Sequence, residues 1–253
     1  MQKDEANLEE ITFSRGYEEW LSSKKNQVKE STYLTYKFKA RKHLVPDLGN
    51  KNLLELLDFD MGSYIDSKKN NSENKESTIK DCVMLLKSIL KFLRKKYSIP
   101  FDLDFSFRPS NSLNEISVFN DKERIKLVKC LNNSNDFKTL GILISLFSGL
   151  RIGEICGLKW EDLDFENKII RIRRTVERVY LDKNSKIIVT TPKSRRSVRN
   201  IPLAQILINK LKPISEAYLP DAYVLTRKAR QIYRAYGLQV YICPNLEAMQ
   251  HTV

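Results

Sequence analysis

The chain has 253 residues, with 44 Lys and Arg against 31 Asp and Glu, and a formal net charge of +13. This length suffices for two modest domains or one large one, and the hydrophobic fraction of 42% argues against wholesale disorder. No apolar run approaches the roughly 20 residues of a transmembrane helix, and the acidic start MQKDEANLEE shows no secretory signal. We expect a cytoplasmic protein that has no membrane partner and that binds a phosphate-rich partner. The alternative is a basic protein without a polyanionic partner.

The first part of the chain predicts a small helical domain. The polar stretch 66–77 predicts a loop, and residues 99–114, which lack a period and contain two prolines, predict a linker. We expect a domain boundary between residues 108 and 109. Apolar residues at helical spacing predict helices or short helical pieces over 13–22, 31–40, 53–57, 61–65 and 78–97.

The second part predicts helices interrupted by a small antiparallel sheet, so the fold class is mainly α. Asn120 with Glu123 is typical of a helix start, the apolar run 137–148 predicts a buried helix, and helical spacing continues over 154–160. The helical pattern resumes at 204–211. Predicted strands and extended segments are 168–175, 176–181, 186–191 and 197–203.

Positive charge is concentrated in this second part. Residues 1–113 hold 20 basic and 17 acidic residues, whereas 114–253 hold 24 basic and 14 acidic ones. Arginine is divided 4 to 12 between the two parts. Its planar fork of donors suits phosphate oxygens, so we expect the more specific phosphate contacts there.

Cysteine and histidine content argues against metal chemistry. The four cysteines lie more than 20 residues apart, and the histidines are His43 and His251. Zinc sites and disulfide frameworks need closer groups of such residues. We therefore expect no metal and no other cofactor.

Two segments stand out as candidate phosphate-binding elements. Arg151 follows a buried helix at a glycine-bracketed break, where a cation requires an anionic partner; a plain salt bridge to Glu154 is the alternative. The second segment, at the end of the predicted hairpin, is a cluster of cations, for which a solvated basic turn is the alternative. Its cations are Lys193, Arg195, Arg196 and Arg199.

Together these segments resemble the tyrosine recombinases, specifically phage and transposon integrases. The resemblance is carried by LFSGLRIGEICGLKWEDLDFENKIIRIRRT and TPKSRRSVRNIPL. The stretch STYLTYKFKARKHLVPDLGNKNLLEL is similar to the family's helical core-binding domain. The resemblance spans roughly residues 10–226 and implies a core-binding domain followed by an α+β catalytic domain.

The resemblance implies strand exchange through a 3′-phosphotyrosyl link, with no metal or ATP. Arg151 matches the first of two arginines that bind the nonbridging phosphate oxygens, and Lys193 matches the hairpin general acid. Glu154 matches an acidic position that supports the site. Such groups stabilise charge on the phosphate and protonate the leaving 5′-oxygen.

The resemblance weakens near the end of the sequence. The family continues with a His-x-x-Arg-His box, and the segment LEAMQHTV would place Glu247 at its first His, Gln250 at its Arg and His251 at its second His. The family's nucleophilic Tyr follows that box. The late tyrosines precede the segment, so we expect an incomplete catalytic set and a C-terminally truncated protein. These tyrosines are Tyr218, Tyr223, Tyr233, Tyr236 and Tyr241.

The implied partner is double-stranded DNA at attachment-type sites in the bacterial nucleoid. The expected DNA-contacting residues are Tyr33, Tyr36, Lys37, Lys39, Arg195, Arg196 and Arg199, with core packing of both tyrosines as the alternative. Self-association, or association with an intact integrase on DNA, is also expected. The other interpretations are a non-catalytic competitor or regulator of an intact integrase and a pseudogene relic.

Overall fold

The computed structural model of the chain describes residues 10–71, 74–108, 118–134, 136–181, 184–191 and 198–226. The chain divides into two compact units. The first comprises Met1–Glu115 with Val179–Ser185, and the second comprises Ile116–Arg178 with Lys186–Val253. The predicted boundary between residues 108 and 109 stays a prediction.

The first unit is helical around an apolar core. Phe13, Tyr17 and Trp20 bury one face of its first helix almost completely, and the longest helix buries a stripe from Ile79 to Leu93 at helical spacing. The helices of this unit are α1 (Phe13–Lys24), α2 (Glu30–His43), α3 (Val45–Leu48), α4 (Met61–Asn71) and α5 (Glu76–Tyr97).

Three segments of this unit differ from the sequence prediction, and the first is 53–57, which forms turns and not the predicted short helical piece. Helix α4 continues to Asn71, although 66–77 is predicted as a loop, and its Lys68 forms an ion pair with Asp47 at 2.6 Å. The segment predicted as a linker from residue 99 instead inserts Phe101 and Phe105 into the helical core. Its alternation of apolar and acidic residues places the apolar side chains inward, and that pattern escapes a search for helical spacing.

The second unit begins with helices that precede its sheet. Asn120 accepts a hydrogen bond from the Glu123 N–H while the Glu123 carboxylate accepts one from the Asn120 N–H, which confirms the predicted helix start. The helices of this unit are α6 (Asp121–Asn133), α7 (Phe137–Ser148), α8 (Ile152–Gly157), a 3₁₀ turn (Trp160–Asp162) and α9 (Gln205–Ser215).

The strands are short and antiparallel. Strand β2 pairs with β1 on one side and with β5 on the other, where Ile172 lies opposite Arg199. Strands β3 and β4 form a separate two-stranded sheet. The strands are β1 (Leu163–Asp164), β2 (Ile169–Ile172), β3 (Thr175–Tyr180), β4 (Ser185–Thr190) and β5 (Arg199–Pro202).

Two glycines let α8 lie directly against the start of β3. A Cβ on Gly153 would sit 2.6 Å from Thr175 Oγ1 and 2.7 Å from the Val176 carbonyl oxygen. A Cβ on Gly157, one turn later, would sit 3.1 Å from Arg174 Cγ. Backbone atoms cannot yield as a flexible side chain can, so the Gly153 contact requires glycine.

The predicted fold class is confirmed: the structure is mainly helical, with small antiparallel sheets. Among the described residues, no helix is long and apolar enough to cross a membrane.

We expect Gly153→Ala to destabilise the second unit by about 1–3 kcal/mol, because the new methyl group overlaps the β3 backbone. Hydrogen exchange of peptides covering 152–176 measures this loss. The control is Gly62→Ala in α4, whose methyl group would meet only Asp60 Oδ1 at 3.2 Å and should leave those peptides unchanged. Wild-type protection in Gly153→Ala would contradict the close approach.

Candidate functional site: an arginine held by a buried carboxylate

Arg151 lies at the sharp junction between α7 and α8. Gly149 ends α7 with φ of +61°, a left-handed conformation that glycine adopts without strain. Leu150 then enters the core, and Arg151 follows in an extended conformation as the residue before α8. The buried helix α7 and the buried Leu150 therefore fix the position of the Arg151 backbone. The Arg151 side chain, in contrast, is 75% exposed.

The Glu154 carboxylate organises this junction. Its Oε1 accepts hydrogen bonds from Arg151 Nη1 at 3.2 Å and from Arg199 Nη1 at 2.9 Å. Its Oε2 accepts from the Arg151 backbone N–H and from Arg199 Nη2, both at 3.0 Å. A carboxylate has about four acceptor positions, so these four donors satisfy it.

Burial and hydrogen bonding oppose each other at Glu154. Its side chain is only 4% exposed, and burial raises a carboxyl pKa because it disfavours the charged form. Despite burial, the hydrogen bonds from Arg199 and Arg151 lower the Glu154 pKa below its usual value. The hydrogen bond between Arg199 and Glu154 also raises the pKa of Arg199. Glu154 is therefore a stable anion at neutral pH.

Arg151 combines this anchorage with open donors. The predicted alternatives were a salt bridge to Glu154 or a phosphate contact, and the structure shows the salt bridge. The bridge uses the backbone N–H and Nη1, and the other guanidinium N–H groups have no partner among the described residues. The arrangement therefore leaves Arg151 able to bind a further anion.

A second buried acid in the same unit was missed by the sequence analysis. Asp162 is 1% exposed, and its Oδ2 accepts hydrogen bonds from the Lys159 backbone N–H and from Arg174 Nη1. Arg173 Nη1 lies 3.7 Å from Oδ1. The spacing of Asp162, three residues after Lys159, repeats that of Glu154 after Arg151 and was the signal that could have identified it.

The four residues of the first unit predicted to contact DNA all lie on α2, in different environments. Tyr33 and Tyr36 are half-buried and pack against the helical core, and the Tyr36 ring lies 5.3 Å from that of Trp20. Lys37 is half-buried, and Lys39 forms an ion pair with Asp81 of α5. Both tyrosines therefore contribute to packing, as the alternative interpretation held.

Several predicted residues lie outside the part of the chain that the structure describes. They are Lys193, Arg195, Arg196, Glu247, Gln250 and His251. Within the described ranges, no group of three or more His, Cys, Asp or Glu side chains is arranged to hold a metal ion.

We expect Glu154→Gln to lower the free energy of unfolding by about 2 kcal/mol at pH 7, because Arg199 loses its charged partner. The folded pKa of Glu154 lies below its unfolded value, so its contribution is present above about pH 4.5 and is lost as pH falls through the folded pKa. The difference between variant and wild type should therefore shrink in acid.

Urea unfolding between pH 3 and 7 measures this difference. Glu123→Gln is the matched control, because Glu123 accepts the same kind of backbone hydrogen bond and forms no ion pair with a described residue. Its substitution should cost about 0.5–1 kcal/mol. A Glu154→Gln effect as small as the control would show that the Arg199 fork adds nothing to stability.

Comparison with known proteins identifies similar sequences over both units. The family model described as "Phage integrase, N-terminal SAM-like domain" matches residues 12–57, and that described as "Phage integrase family" matches residues 118–236. Together they cover well over half of the chain.

Curated relatives match parts of longer proteins. A tyrosine recombinase XerC-like protein of Caldanaerobacter subterraneus subsp. tengcongensis is 38% identical over 103 residues, 39% of this chain and 26% of that protein. The putative defective protein IntQ of Escherichia coli K12 is 24% identical over 250 residues, 90% of this chain and 58% of its own. The chain thus spans about a quarter to three fifths of the length of these relatives.

Solved structures share the fold. The Tn1549 transposon integrase in complex with a circular intermediate DNA superposes with a TM-score of 0.66 at 21% identity, covering 83% of this chain and 66% of its own. A lambda integrase tetramer bound to a Holliday junction gives a TM-score of 0.63 at 13% identity, covering 95% of this chain and 67% of its own.

Proposed function

The chain belongs to the phage integrase family of tyrosine recombinases, and from that membership we propose that it binds duplex DNA of a mobile element for site-specific recombination. The observation that carries the proposal is the exposed guanidinium of Arg151 held by the buried Glu154. The DNA-bound Tn1549 and lambda integrases share its fold and support the same partner. We place this activity in the bacterial cytoplasm, on nucleoid DNA.

Arg151 is proposed to bind a nonbridging oxygen of the scissile phosphate. The Glu154 carboxylate lies on one side of its guanidinium and fixes the side chain, so that less conformational freedom is lost when a phosphate binds. The open donors then meet charge that develops on the phosphate during strand transfer. Lys193 is proposed as the general acid that protonates the leaving 5′-oxygen, by its match to the family's hairpin lysine.

Many other arginines of the second part are already paired within the protein. Arg171 forms an ion pair with Asp164, and Arg174 forms ion pairs with Glu161 and Asp162. These cations stabilise the fold before any DNA is bound. We propose that Arg195 and Arg196 contact the DNA backbone, together with Lys37, Lys39 and the polar ends of Tyr33 and Tyr36 in the helical unit.

We expect Arg151→Gln to weaken binding of a labelled 40-base-pair duplex by about three- to tenfold and to reduce the slope of log affinity against log salt by about one, because one phosphate contact is lost. Fluorescence anisotropy over a salt series measures both quantities. The charge-matched control is Arg124→Gln on α6, whose side chain is 60% exposed and paired with Asp121.

The control should stay within about twofold of wild type, as expected for one exposed charge away from a phosphate. If both variants lost DNA affinity equally, the effect of Arg151→Gln would come only from the change in net charge. A wild-type affinity that does not change between low and physiological salt would overturn the proposed DNA binding itself.

We infer further that these 253 residues alone do not cleave DNA. In the family the nucleophilic tyrosine follows the box that LEAMQHTV resembles, and the late tyrosines of this sequence precede it. Tyr218 stacks on Trp160, with ring centroids 5.9 Å apart, and Tyr223 is buried. These positions suit packing better than attack on phosphorus, which needs an accessible hydroxyl oxygen.

Incubating the chain with a pooled library of nicked duplexes tests this inference. We expect no protein–DNA adduct that survives denaturation, because no tyrosine of this sequence matches the family's nucleophile. An intact integrase on its own site serves as the positive control. A denaturation-resistant adduct that is lost on substituting a tyrosine of this chain would sink the inference.

A second candidate function is a non-catalytic competitor or regulator that occupies attachment sites or associates with an intact integrase. The packing of Tyr218 and Tyr223 favours it, since DNA binding would persist without strand cleavage. Displacement of an intact integrase from its site by this chain would support that role. A broad, non-cooperative thermal transition would instead favour the relic interpretation, because a fold without a defined core unfolds in that way.

A further inference from the structure

We infer that Arg199 is a positioning residue, which orients Arg151 through Glu154 and does not itself contact DNA. This inference rests on the phosphate-binding role proposed for Arg151. It assigns Arg199 a different role from the DNA contact that its place in a basic segment predicts.

The Arg199 fork is committed to a carboxylate within the protein. Its two terminal nitrogens donate to the two oxygens of Glu154, at 2.9 and 3.0 Å, in the bidentate geometry by which arginine also grips phosphate. Its side chain is 30% exposed, against 75% for Arg151. Of the two arginines on Glu154, Arg199 is therefore the internal partner and Arg151 the open one.

The pair joins two elements that local sequence does not connect. Arg199 begins β5, whose register against β2 places it opposite Ile172. Glu154 lies on α8, a helix of only six residues that cannot hold its own orientation by length. The fork therefore ties α8 to the sheet, and Arg151 shares the same carboxylate.

Only arginine can make this connection. A lysine carries one nitrogen, so it can neutralise Glu154 but cannot engage both oxygens with the planar geometry that fixes the carboxylate plane. Arg199→Lys therefore separates positioning from charge. If Arg199 acted on the DNA through its positive charge alone, lysine would keep most of the interaction.

Glu154→Gln distinguishes a positioning role of Glu154 from simple electrostatic repulsion of DNA, because the two predict opposite changes in DNA affinity. A carboxylate beside a phosphate repels it, so on electrostatics alone its removal should tighten DNA binding and release two arginines. If Glu154 positions Arg151, its removal should weaken binding although the protein becomes more basic. Asp121→Asn on α6 is the matched control, because it removes an acid that is 86% exposed and paired with Arg124.

The experiment measures dissociation constants for a labelled 40-base-pair duplex by fluorescence anisotropy, with each variant made alone and in an Arg151→Gln background. We expect Arg199→Lys and Glu154→Gln each to weaken binding by about three- to tenfold, and neither to weaken it further once Arg151 is replaced. Asp121→Asn should bind as well as wild type or better. Arg171→Lys, which alters the Arg171–Asp164 pair of the same sheet, should stay within about twofold.

Three outcomes would overturn the inference: tighter binding by Glu154→Gln, wild-type affinity of Arg199→Lys, or a full additional loss from Arg199→Lys in the Arg151→Gln background. The last result would mark an independent DNA contact. Failure of the wild-type chain to bind DNA would instead be failure of the proposed function, since no comparison of variants is then involved.

The orientation of the Arg151 side chain can also be measured directly, in the absence of DNA. The nuclear magnetic resonance order parameter of the Arg151 Nε–H should fall in Arg199→Lys and in Glu154→Gln, and should be unchanged in Arg171→Lys. An unchanged value in both site variants would also overturn the inference. If Arg199→Lys does not fold, Glu154→Gln, which keeps the shape of the side chain, carries both tests.

Discussion

The junction between α7 and α8 depends on one buried charge, the carboxylate of Glu154. Taking an anion out of water is costly, and hydrogen-bond donors at its acceptor positions offset that cost. Here the donors come from the start of the same helix and from a strand 45 residues later in the sequence. The electrostatic requirement of one side chain therefore brings α8 and β5 together and leaves the guanidinium of Arg151 at the surface.

Close backbone packing supports the same junction. Gly153 and Gly157 allow β3 to approach α8 until backbone and side-chain atoms touch, and Arg174 crosses from the sheet to the carbonyl oxygen of Gly157. The second buried acid, Asp162, receives the same arginine. Glu154 and Asp162 each accept a hydrogen bond from the backbone N–H three residues earlier. Each also accepts one from an arginine that lies later in the sequence, Arg199 for Glu154 and Arg174 for Asp162.

This arrangement alters what the net charge of +13 means. Much of the arginine excess in the second part serves intramolecular pairs, and those arginines already have anionic partners before DNA arrives. In the first unit, several lysines likewise lie over aromatic rings, as Lys24 does over Trp20 and Lys87 over Phe105. Net charge therefore indicates a polyanionic partner, while the pairing in the fold decides which cations remain open to it.

Sequence alone determined the features that depend on neighbours along the chain. Helical spacing predicted the core stripe of α5, the apolar run predicted α7, and the three-residue offset brought Glu154 to Arg151, because a helix turn enforces such contacts. Only the tertiary structure decided the rest. The Arg199 fork on Glu154 and the burial of Phe101 depend on sheet register and on packing between distant segments, which no local pattern specifies.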